Sequence, residues 1–156
     1  MARTSNRAAT IGLVVMVAGV IFVVAGVVTW FVVADQLAAE NITVSEDAEF
    51  LAGSDVTGPF AAYSQAQVIN KHALEATGGK TYAELDREDP ARQTAMQASF
   101  LRSSLFTSVV AFGVAALASV LGVLLVLIGW ALRDPGRKEQ LTGAGVAPTS
   151  AGPSTS

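Results

Sequence analysis

The sequence predicts an all-α membrane protein: an antiparallel two-helix transmembrane hairpin carrying a small helical extracytoplasmic module. Three observations predict it. Residues 11–34 and 105–132 are long apolar runs without a single charged residue. Positive residues gather just outside them, near the two chain ends. Within each run, small residues recur at helical spacing. Hydrophobic residues make up 51% of the chain and charged residues 15%, a balance that the two runs account for.

The runs hold 24 and 28 residues. At a rise of about 1.5 Å per residue they reach roughly 36 and 42 Å, enough to cross a hydrocarbon core of about 30 Å. They are rich in β-branched residues, which disfavour helix in water. In lipid, however, a spanning segment must satisfy its own backbone groups, and helix does so. Trp30 and Trp130 each stand near the end of a run, where the indole prefers the interface. Val32-Val33-Ala34 resembles a signal-peptidase site and leaves a cleaved signal as the alternative, although the run exceeds a 7–15-residue signal core.

Arg3 and Arg7 precede the first run, and Arg133, Arg137 and Lys138 follow the second. Positive residues near span ends stay cytoplasmic, so both tails (residues 1–10 and 133–156) are expected inside the plasma membrane and residues 35–104 outside. That outer segment has 11 acidic residues against five basic ones, a net charge of −6. The whole chain, at −3, has no basic stripe of the kind nucleic acid requires. Cysteine is absent, which excludes a disulfide framework, thiolate metal sites and cysteine nucleophiles.

Gly12, Gly19 and Gly26 recur every seven residues in the first run. In the second, Ser104, Ser108, Ala111, Ala115, Ala118, Gly122 and Gly129 trace a similar stripe. Seven residues make two turns of a slightly underwound helix, so each series lies on one face. Small residues let backbones approach where lipid removes the hydrophobic drive between helices. The stripes are expected to face each other at about +20°, with a homo-oligomer on the same seam as the alternative. Neither run carries Asp, Glu, Lys, Arg or His, which argues against an ion or proton pathway.

Between the runs, Thr57-Gly58-Pro59 opens a helix, because Pro is tolerated at the first helical position. Residues 60–77 continue it, and Gly78-Gly79 closes it. Its small face (Ala62, Ala66, Ile69, Ala73 and Ala76) is expected to dock on Ala91, Ala95 and Ala98. Thr81 and Glu84 have capping-box spacing. Asp89-Pro90 opens a last helix that meets no breaker before Leu132, so the second span should project about 22 Å from the membrane. Residues 42–45 (ITVS) read as an extended connector. The tail from Asp134, rich in Gly, Pro, Ser and Thr, should be disordered.

Several motifs imitate chemistry. Gly79-Lys80-Thr81 matches the end of a phosphate-binding loop, but Leu74 stands where that motif needs Gly. His72 is the single histidine, with Glu75 one turn on as its expected hydrogen-bond partner. Glu84, Asp86, Glu88 and Asp89 lack the order of an EF-hand loop and read as a solvated face, weak binding of a divalent cation being the alternative. Asn41-Ile42-Thr43 is a sequon too common to carry weight. The candidate interaction surface is therefore His72, Glu75, Tyr82, Glu84, Asp86, Glu88 and Asp89, with no catalytic constellation, cofactor or metal expected.

Three stretches, ITVSEDA (42–48), VINKHALEATGGKTYAELDREDP (68–90) and ASFLRSSLFTSVVAFGV (98–114), resemble a family of short actinobacterial two-helix membrane proteins labelled "aromatic ring-opening dioxygenase LigA". The resemblance runs from about Ala9 to Arg133. The label implies the small subunit of a protocatechuate-type extradiol dioxygenase. Ring opening uses Fe(II) held by two His and a carboxylate, so one His would leave the iron to a partner subunit. The residues by themselves predict a non-enzymatic interaction or accessory protein of the cell envelope, acting through its acidic ectodomain on a membrane or envelope partner. An accessory subunit of an enzyme is the alternative.

Overall fold

The computed structural model describes residues 2–133, with side chains from Arg7 onward. The expected tail from Asp134, including Arg137 and Lys138, and the Arg3 side chain lie outside the described residues. Three helices follow one another: α1 (Ala2–Ala39), α2 (Pro59–Ala76) and α3 (Ala91–Arg133). α1 and α3 are long and apolar enough to cross a membrane.

α1 starts well before the apolar run, since neither Pro nor Gly interrupts residues 2–11. The stretch read as an N-terminal tail is thus helical. α3 runs unbroken for 43 residues. It opens on Asp89, whose Oδ1 accepts from the Ala91 N–H at 2.9 Å. α2 starts with Gly58 as its N-cap and Pro59 in its first turn. It ends in a Schellman motif: the Gly79 N–H donates to Leu74 O at 2.7 Å and the Gly78 N–H to Glu75 O at 3.4 Å. Gly78 (φ +64°) and Gly79 (φ +85°) supply the left-handed backbone that this turn needs.

α1 packs antiparallel along α3 in a sequence of close backbone approaches. A Cβ on Gly12 would lie 2.7 Å from Gly129 O, and one on Gly19 would lie 2.6 Å from Gly122 O. A Cβ on Gly26 would lie 2.5 Å from Ala115 O and would also strike the Ser119 hydroxyl. Larger side chains alternate with these contacts. Met16 and Val23 of α1 stand over Gly129 and Gly122, while Val126 of α3 stands over Gly19. Trp30 meets Phe112 edge to face at 4.7 Å. The contact line of α3 thus passes through Phe112, Ala115, Ser119, Gly122, Val126 and Gly129. Ser108, Ala111 and Ala118 are half-buried.

The apolar core sits where the end of α1, the α1–α2 loop and α2 meet α3. Leu37, Val44, Val56, Ala61, Ala62, Ala66, Leu105 and Phe112 form it. α2 therefore packs lower on α3 than the alanine pattern suggests: Ala62 and Ala66 join Leu105 and Phe112 in this core, and Ala76 is exposed. Only the far half of α2 reaches the first turns of α3, where Ala95 is buried.

Residues 42–45 have a partner after all. Thr43 bridges Asp55 in antiparallel fashion, with Val44 N–H to Ser54 O (2.9 Å) and Val56 N–H to Ile42 O (2.8 Å). Val44 and Val56, each 1% exposed, turn inward and plug the top of the helix pair. Buried apolar area is what orders this loop.

Candidate functional site

Residues 35–104 present several concavities of different character. One is a groove of about 620 Å³ between the loop and the outward face of α2. Phe50, Tyr63, Val68 and Leu74 line it together with Asp47, Glu49, Lys71 and Glu75. Tyr63 stacks on Phe50 at 6.3 Å and stands edge-on to Phe106 of α3 at 5.8 Å, so the aromatic floor is held by all three elements around it. Two hydrogen bonds fasten the loop to α2. The buried Ser64 hydroxyl donates to Phe50 O at 2.7 Å, and Gln65 Oε1 accepts from the Ser45 N–H at 3.0 Å.

At the groove's edge, Asp47 Oδ2 lies 2.9 Å from both Lys71 Nζ and His72 Nε2. His72 is thus paired with a loop carboxylate 25 positions away, instead of with Glu75 as its spacing suggested. The hydrogen bond from Lys71, followed by that from His72, lowers the Asp47 carboxyl to about 2. The same bond to Asp47 raises the Lys71 ammonium. With Lys71 and Asp47 neutralising each other, Glu49 and Glu75 leave the groove acidic.

Thr81 and Glu84 form a closed turn. Glu84 Oε2 accepts from the Thr81 N–H (2.8 Å) and hydroxyl (2.7 Å), and the first of these chiefly lowers the Glu84 carboxyl. The capping-box spacing therefore makes only the half in which Glu84 accepts from the Thr81 N–H, without starting a helix. Arg92 places its guanidinium 4.1 Å over the Tyr82 ring and donates to Leu85 O, which pins residues 82–85 to α3. Asp86, Glu88 and Asp89 rim a shallow depression with Arg87 and Pro90. Among the described residues, no three His, Asp or Glu side chains converge as a metal site.

Comparison with protein-family models, with curated proteins and with solved structures finds no match. The arrangement itself therefore carries the functional reading. Of the residues singled out from sequence, Glu75 lies in the groove, His72 borders it, and Tyr82 lines a separate cleft. Asp86, Glu88 and Asp89 stand apart on the opposite turn. Asp47, Glu49, Phe50 and Tyr63 are the groove residues that sequence reasoning passed over. The aromatic–acidic run 47–50 was the one local signal.

Proposed function

We propose that the chain is a two-pass integral membrane protein whose acidic helical ectodomain binds a partner protein of the cell envelope, without catalysis of its own. In this reading α1 and α3 cross the bilayer as an antiparallel hairpin. Both termini are cytoplasmic, and residues 35–104 lie outside. The observation that carries it is the exposure of apolar side chains along both helices: Val14 63%, Ile21 61%, Phe31 67%, Val110 63% and Leu117 67%. A monomer in water rarely exposes apolar patches beyond a few hundred Å². Lipid is the solvent that suits this surface.

Trp30 and Trp130 support the same reading. Trp30 stands at the level of Phe112, 18 residues from Trp130, and this spacing corresponds to about 27 Å of helix. Two indoles at the two edges of a hydrocarbon layer would be so separated. The absence of cysteine makes the topology directly testable. Thr57→Cys should react with a membrane-impermeant maleimide on intact cells, and Ser5→Cys only after lysis. The reverse pattern would invert the topology.

The partner is inferred from the groove. Its aromatic floor and its unneutralised Glu49 and Glu75 suit a polypeptide segment that offers a basic side chain beside an apolar one. Affinity purification in mild detergent is the test. An envelope protein recovered with the wild type and lost with Glu49→Lys and Glu75→Lys supports the reading. One stoichiometric enzyme in its place would favour the accessory-subunit role that the LigA resemblance implies. Recovery of the chain alone would sink the partner proposal.

A further inference from the structure

Against an ectodomain of net charge −6, one cleft has cations, Lys80 and Arg102, as its only charged lining. It has a volume of about 110 Å³ and lies between the far half of α2, residues 80–82 and α3. Asn70, Lys80, Thr81, Tyr82, Ser99 and Arg102 supply its polar wall, and no carboxylate lines it. The Glu84 carboxylate, next along the chain, is held by Thr81.

Arg102 is the decisive residue. Its Nε is buried and has no hydrogen-bond partner. Its guanidinium rests 5.4 Å from the Phe106 ring and makes no ion pair among the described residues. Buried polar groups are almost always satisfied, and an orphaned guanidinium donor beside a polar cleft points to a missing acceptor. Arg92, nearly three turns away, shows the contrast: its Nη1 donates to Leu85 O and Tyr82 O. A planar guanidinium with a nearby ammonium is the pair that recognises phosphate oxygens.

We propose that this cleft binds a phosphate group through Arg102 and Lys80, with Asn70 as a neutral donor, the Ser99 hydroxyl being given to Ala95 O. It is unlike the phosphate-binding loop that Gly79-Lys80-Thr81 imitates, since the Thr81 N–H and hydroxyl are already given to Glu84. Part of the case rests on the membrane reading. Arg102 lies three residues, about 4.5 Å, beyond Leu105, where the apolar run begins. The headgroup layer occupies roughly the first 5–7 Å outside the hydrocarbon core, so Arg102 stands at the depth of lipid phosphates. The phosphate can thus come from an anionic lipid or from solution, and the experiment separates the two.

The full chain, purified in maltoside detergent, is titrated with inorganic phosphate, and phosphatidylglycerol retention is measured against phosphatidylcholine by native mass spectrometry. Selective retention of one phosphatidylglycerol, weakened about tenfold by Arg102→Gln with Lys80→Gln and unchanged by Arg87→Gln, supports a lipid headgroup. Saturable binding of inorganic phosphate with the same dependence, and without lipid selectivity, supports a soluble source. Ser99→Asp, which adds a carboxylate to the cleft and leaves both cations in place, should abolish either form of binding. Binding that is absent, or indifferent to all these cleft substitutions, overturns the proposal. The micelle titration needs no bilayer, and carbonate extraction of membranes tests the membrane reading separately.

Discussion

Gly19 and Gly122 meet backbone to backbone: a Cβ on either would stand 2.6 Å from the carbonyl oxygen of the other. No side-chain movement can relieve such a contact, because the obstructing atoms are main chain. Close approach of this kind permits Cα–H···O contacts and the dense van der Waals packing that hold helices together in lipid. Gly19→Leu or Gly122→Leu should therefore force α1 and α3 apart, at a cost of about 1–3 kcal/mol. Disulfide crosslinking between Ala8→Cys and Leu132→Cys is expected to drop in both variants. Gly113→Leu, at a position where a Cβ meets nothing within 4 Å, should leave it unchanged. Equal crosslinking in all three would refute the seam.

The seam was legible where residue size alone decides the contact. The seven-residue spacing of Gly12, Gly19 and Gly26 points to the face on which α1 approaches α3. On α3 the search for small residues favoured Ala111 and Ala118, whereas the contact line runs one position on, through Phe112 and Ser119. A large residue there is invisible to a small-residue rule, because what Phe112 fills is the space beside Trp30 on the other helix. Helix bounds between the two long apolar runs were legible from Pro59, Gly78 and Asp89, since their backbone chemistry is local. The loop was not. Val44 finds Ser54, Ser45 finds Gln65 and Asp47 finds His72 across up to 25 residues, and no periodicity encodes such pairings.

Asp47 ties the loop to α2, and its titration carries a definite sign. Its folded value, about 2, lies below the ordinary 3.8, so the tie stabilises the folded state fully above pH 4 and is lost as pH falls toward 2. Lys71 behaves oppositely: its raised value gives stability that is present below 10.5 and lost only as pH rises beyond it. Both groups are exposed, so the expected effect is local. Asp47→Asn should speed amide exchange at Ser45, Ala48 and Gly53 at neutral pH while leaving α3 unaffected. Wild type should lose its protection at those amides between pH 4 and 2. Identical exchange in the two proteins at pH 7 would show that the pair is ornamental.

Gly78 closes α2 with φ +64°, a conformation in which an L side chain crowds its own carbonyl. A Cβ there meets no other atom within 4 Å, so the penalty of Gly78→Ala isolates the backbone term. Destabilisation of about 1 kcal/mol is expected, read as earlier loss of helicity on heating in detergent. Gly58→Ala is the control. Gly58 caps α2 with extended backbone (φ −151°), and it too has open space where a Cβ would stand. Gly58→Ala therefore carries no left-handed strain and should cost less, about 0.5 kcal/mol, from the N-cap preference for Gly over Ala alone. Equal losses at the two positions would place the strain elsewhere in the turn.

The two tryptophans give a measurement of depth. Trp30 is 37% exposed and partly covered by Phe112, whereas Trp130 is 63% exposed at the opposite end of the helix pair. In a bilayer both should lie at the edges of the hydrocarbon layer, one in each leaflet. With Trp130→Phe, the remaining Trp30 fluorescence in liposomes should be quenched more by lipids brominated near the headgroup than by lipids brominated at the chain end. Trp30→Phe should give the same ranking for Trp130, with stronger quenching overall because its ring is less covered. Phe112→Ala should increase lipid quenching of Trp30 by uncovering its face, and should leave Trp130 unaltered. Strongest quenching by the chain-end bromines would place an indole near the bilayer centre. It would then contradict the 18-residue separation from which the two membrane edges are inferred.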